Sequence, residues 1–73
     1  MTYTSNDARK AKLRYYFGKY NMTLRDVAKE LGVSYPTLHR KVTDIDEFSI
    51  GEAKRLIEIF EITKEDASEI FLS

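Results

Sequence analysis

The chain has 73 residues, enough for one core and too few for two, and a domain of this size buries only about 60% of the surface its unfolded chain exposes. A hydrophobic fraction of 42% with 12% aromatics excludes a disordered chain, the absence of cysteine excludes disulfides and thiolate metal sites, and no apolar run approaches the ~20 residues of a bilayer span. The formal net charge is zero but unevenly spread: residues 1–43 carry nine Lys or Arg against three acids (+6) and residues 44–73 carry three against nine (−6), which predicts a basic half offered to phosphate and an acidic half facing away from it.

Five helices are predicted, forming one all-α domain over residues 1–73. Residues 1–6 read as a flexible arm that ends in the cap-type residues Ser5 and Asn6. The first helix carries Ala8, Leu13, Tyr16, Phe17 and Tyr20 on an apolar face, because Leu13–Phe17 and Tyr16–Tyr20 lie one turn apart; Gly18 weakens its end and Asn21 stops it. Thr23 caps the second helix, with Asp26 three residues on, and Leu24, Val27, Ala28 and Leu31 form its buried side. Gly32 ends that helix, since a left-handed backbone is cheap for glycine alone. Ser34 caps the third helix at once, Pro36 sits in its first turn where a missing N–H costs little, and Leu38 and Val42 form its buried stripe.

Thr43–Phe48 reads as an acidic loop. Ser49 and Glu52 make a capping box for the fourth helix, whose apolar positions are Ile50, Ala53, Leu56, Ile57 and Phe60. Thr63 and Asp66 repeat the spacing for the fifth, which buries Ala67, Ile70 and Phe71.

The informative stretch is residues 23–43. Two helices joined by a tight turn must cross closely: Ala28 lets the backbones approach, Gly32 makes the turn, Val33 fills the corner, and Leu38 packs back onto Val27 and Leu31. Small, turn and apolar residues in that order are what a helix-turn-helix requires. With Leu38 and Val42 buried, the opposite face of the third helix presents Ser34, Tyr35, Pro36, Thr37, His39, Arg40 and Thr43.

The segments TLRDVAKELGVSYPTLHRKV and DEFSIGEAKRLIEIFEIT resemble the Cro and CI repressor type of helix-turn-helix domain (XRE-like), especially the form found in temperate phages of Gram-positive bacteria. The resemblance covers about residues 8–72 and implies a lambda-repressor-like bundle of five short helices that works as a homodimer on operator DNA in a genetic switch. On the family's pattern Tyr35, Pro36, His39 and Arg40 fall on base-touching positions. Arg40 suits a bidentate contact to guanine and Pro36 a thymine methyl; Ser34 suits a phosphate, and Lys41 and Thr43 are backbone-contact candidates.

The same phage regions encode small antirepressors that bind a repressor protein instead of an operator, and the chain resembles those in length and charge. Two departures from the DNA-reading pattern point that way. Leu24 stands where the family often has a phosphate-anchoring glutamine, and the exposed Tyr35–Pro36 pair suits an apolar protein contact. Operator DNA and a phage repressor therefore both stand as partners.

His39 is the only histidine, so no metal site is expected; Asp44, Asp46 and Glu47 lack the glycine and bidentate glutamate of a calcium loop. No nucleophile–base pair and no phosphate-cradling glycine loop occurs, so neither enzyme activity, nor a cofactor, nor a small-molecule substrate is expected. The start MTYTSNDARK lacks a signal peptide's apolar stretch, and the expected location is the cytoplasm of a bacterial host, away from membranes.

Overall fold

A computed structural model describes residues 5–72, and every regular element among them is helical. The five helices are α1 (Asn6–Lys19), α2 (Leu24–Leu31), α3 (Tyr35–Thr43), α4 (Ile50–Phe60) and α5 (Lys64–Phe71), and a 3₁₀ turn (Ile45–Glu47) lies between α3 and α4. Each helix starts at a predicted cap. Ser5, Thr23, Ser34, Ser49 and Thr63 accept the backbone N–H three residues on, at 3.2, 3.2, 3.3, 3.1 and 3.1 Å. The bond is returned at Thr23 and Ser49, whose N–H groups donate to Asp26 and Glu52. At Thr63 the Asp66 carboxylate instead takes bonds from Lys12 and the Tyr16 hydroxyl, tying the start of α5 to α1.

Three corners share one construction. Asn21, Gly32 and Glu61 adopt left-handed backbone at φ 55°, 72° and 48°. The next residue in each corner is apolar: Met22, Val33 and Ile62 send their N–H groups back to the carbonyls of Phe17, Ala28 and Ile57 at 2.9, 3.0 and 3.1 Å. The following Thr23, Ser34 or Thr63 caps the next helix. This is the Schellman stop fused to a fresh start, and it satisfies the orphan carbonyls of one helix and the orphan amides of the next within three residues.

The core is built from Leu13, Phe17, Val27, Leu38, Val42, Leu56, Phe60 and Ile70, with Phe17 and Phe60 ring centroids 5.1 Å apart. α2 packs on α3 and α4, α1 packs on α5, and the 3₁₀ turn touches α1, α3 and α5. That turn corrects the loop reading of 43–48: Thr43 completes α3, and Ile45 is buried as the plug where the three helices meet. Two apolar positions assigned to helix faces, Ala8 and Ile50, are exposed, and Leu24 and Leu31 reach only the edge of the core. Of the α1 aromatics Tyr16 and Phe17 are buried, Tyr20 is half-buried and Tyr15 is exposed.

Arg9, one of the nine cations of the basic half, is buried. Its Nε donates to the Ile70 carbonyl at 2.7 Å, Nη1 to Asn6 Oδ1 at 3.0 Å and Nη2 to Asp46 Oδ1 at 2.8 Å. Further along the α1–α5 seam Lys12 meets Asp66 and Glu69, Tyr16 meets Asp66, and Tyr20 donates to Glu61. Residue numbers rise on α1 as they fall toward α5, so the first and last helices run antiparallel. Ser5 and Asn6, assigned to an arm over residues 1–6, instead form the cap and first residue of α1; residues 1–4 lie outside the described residues. No described helix is long and apolar enough to cross a membrane.

Candidate nucleic-acid interface

The orientation of α3 follows from its stripe. Leu38 and Val42 are fully buried, with Val27 and Ala28 of α2 in the same cluster. The other side of the helix must then face outward. Ser34, Tyr35, Pro36, His39, Arg40 and Thr43 are exposed together there, with Thr37 half-buried beside them.

The polar groups on this face differ in freedom. The Ser34 hydroxyl accepts from Thr37 N–H and donates to Thr37 Oγ1 at 2.9 Å, so it is engaged in starting the helix. The Thr43 hydroxyl donates to the His39 carbonyl at 3.0 Å. Arg40 holds Glu47 loosely, with Nε 3.4 Å from Oε1, and remains 63% exposed. An exposed pair of that length contributes little, so the guanidinium fork is available to a stronger bidentate acceptor. Pro36 and the Tyr35 ring give the start of the helix an apolar tip.

Lys41 does not join them. It is only 15% exposed and its Nζ sits 2.7 and 2.8 Å from both carboxylate oxygens of Glu52 on α4. Lys41 and the N–H of Ser49 hold Glu52 below the usual carboxylate range. Lys41 here fastens α3 to α4.

The charge asymmetry of the sequence is partly cancelled in space. Arg9, Lys12, Arg40 and Lys41 of the basic half are paired with Asp46, Asp66, Glu69, Glu47 and Glu52 of the acidic half. Among the described residues Lys10, Arg14, Lys19, Arg25 and Lys29 have no ion-pair partner. Folding thus draws acids of the second half onto four of the nine cations of the first.

Arg25 was not among the residues singled out from the sequence. Its guanidinium carbon lies 4.6 Å over the Tyr35 ring, and that ring lies 6.2 Å from the His39 ring. Arg25, Tyr35 and His39 thus line up across the α2–α3 crossing. The signal in the sequence is weak: the tight turn sets the last turn of α2 beside the first turn of α3, and only the shortness of α2 and the length of the arginine side chain bring Arg25 to the Tyr35 ring. No group of three or more metal-ligating side chains occurs among the described residues.

A rigid helix carrying a fork donor, an imidazole and an apolar tip on one outward face has the chemistry to read base edges in a major groove. Residues 12–70 match the family model of the Cro/C1-type HTH DNA-binding domain. No curated protein and no solved structure matches the chain.

Proposed function

Because the chain belongs to the family of Cro/C1-type helix-turn-helix DNA-binding domains, we propose that it is a transcription regulator of a phage-type genetic switch that seats α3 in the major groove of operator DNA. The observation that carries this reading is the shared exposure of Tyr35, Pro36, His39 and Arg40 on a helix whose other side is locked into the core. In this reading Arg40 takes a guanine through two parallel hydrogen bonds and His39 meets a neighbouring base edge. Pro36 lies against a thymine methyl, while Ser34, Thr37 and Thr43 line the backbone. Residues 1–73 act as one domain, as a homodimer on a two-fold operator, in the cytoplasm of a bacterial host and without enzymatic chemistry.

A second reading has its own support. Four cations of the basic half are tied to internal carboxylates, and the exposed start of α3 is a tyrosine beside a proline. Such a surface suits an antirepressor that covers the reading face of its cognate repressor, with Tyr35 and Pro36 at an apolar centre. A mobility-shift titration on switch-region DNA, with and without the repressor, tests both. Shift by the chain alone, weakening steeply between about 50 and about 200 mM salt, supports the regulator. No shift alone, with release of bound repressor in a stoichiometric complex, replaces it with the antirepressor.

A further inference from the structure

We infer that Arg25, whose guanidinium lies over the Tyr35 ring, is a backbone-phosphate anchor at the junction of α2 and α3. The proposal rests on the DNA-binding reading and adds to it a residue outside the reading helix. The ring lies 4.6 Å from the guanidinium carbon and takes up none of its N–H donors in a hydrogen bond. Among the described residues Arg25 donates no hydrogen bond and forms no ion pair, unlike Arg9 and Arg40. The nearest carboxylate in sequence, Asp26, accepts the Thr23 N–H, and that bond keeps it below the ordinary carboxylate range.

The placement of Arg25 works against the helix that carries it. A cation in the first turn of α2 opposes the positive end of the helix dipole, and Lys29 stands one turn on with like charge. An anion outside the protein relieves both. The anion is a phosphate and not a base edge, because in helix-turn-helix docking the first helix of the motif crosses the DNA backbone while the second enters the groove. A planar fork pre-set by an aromatic ring matches two phosphate oxygens and loses little rotamer freedom on binding.

The test uses anisotropy titrations of a labelled mixed-sequence duplex with the full chain across about 50–200 mM salt. Arg25→Ala should bind about three- to tenfold more weakly at the low-salt end and lower the log–log salt slope by about 1. Arg25→Lys should restore the slope but not the full affinity. Circular dichroism should give both variants wild-type helix content. An Arg25→Ala slope equal to wild type overturns the anchor while the DNA reading stands. Loss of discrimination at a single base pair in Arg25→Ala overturns it in favour of a base contact. An unchanged DNA slope with lost binding to the cognate repressor moves the fork to a protein carboxylate and overturns it too. Absence of salt-dependent binding by wild type overturns both the anchor and the reading beneath it.

Discussion

Replacing Arg9 by alanine probes how the two ends of the fold are held. Arg9 is 3% exposed and makes three hydrogen bonds, to the Ile70 carbonyl, Asn6 and Asp46. Truncation does not affect the three partners equally. Asp46 is 69% exposed and regains water, and Asn6 lies at the surface. The Ile70 carbonyl is different: it belongs to the last turn of α5, where no intrahelical N–H is available, and Arg9 Nε is its donor. Leaving a buried carbonyl unsatisfied costs about 1–3 kcal/mol, and the vacated volume of a buried side chain adds to that. We expect a total near 3 kcal/mol, against a stability of about 4–11 kcal/mol for a chain of this length. At about 4–8 °C per kcal/mol the midpoint should fall by roughly 12–24 °C. The assay is thermal melting by circular dichroism, with Asp46→Asn as the control that removes the exposed partner alone and should stay close to wild type. If Arg9→Ala melts with wild type, or if Asp46→Asn is equally damaging, the carbonyl is not what Arg9 serves and the reasoning fails.

Leu38→Ala at the α2–α3 crossing should cost about 2–5 kcal/mol, read by urea denaturation, since Leu38 is fully buried. Arg40→Ala should keep the melting curve and weaken operator binding by about 1–3 kcal/mol, relaxing preference at one base position in a mutated-operator panel. Acid should destabilise the fold in a defined sense. Asp66 is held below the ordinary carboxylate range by the Tyr16 hydroxyl and then Lys12, and Glu52 by Lys41 and Ser49 N–H. A folded value below the unfolded one gives stability that is complete above the ordinary carboxylate range, about pH 4, and is lost as pH falls through the lowered values. Urea midpoints taken across that range should drop, and Asp66→Asn should flatten the drop. Glu61→Gly should raise the urea midpoint slightly, corresponding to a stability gain under about 1 kcal/mol, because Glu61 bears a left-handed backbone without being glycine. A lowered midpoint would show that the Tyr20–Glu61 hydrogen bond outweighs that strain.

The helix starts were legible because a cap is a local device: a Ser or Thr and the amide three residues on suffice to place it, and all five starts follow that rule. The outward set on α3 was legible for the same reason, since the burial of Leu38 and Val42 fixes the rotation of the helix. What escaped depends on encounters across the chain. Arg9 reads as a solvated cation until Ile70, sixty-one residues away, offers it a carbonyl. Ile45 sits among acids and becomes core only because three helices converge on it. Lys41 looks like a phosphate ligand until α4 brings Glu52 within 2.7 Å, and Arg25 acquires its orientation from a ring on the next helix. Periodicity reports which side of a helix is apolar and is silent on which neighbour arrives at its edge.

The antiparallel seam between α1 and α5 bears on how the domain comes apart. In many small bundles a terminal helix frays on its own, and its amides exchange with solvent long before those of the centre. Here peeling away either end tears the Arg9–Ile70, Lys12–Asp66 and Tyr16–Asp66 links at once and exposes the helix left behind. The closure of the whole chain onto itself is therefore formed or lost as a unit, with its loop entropy recovered only when everything opens. The 3₁₀ turn touches α1, α3 and α5 together, so α3 loses a packing neighbour when that seam opens.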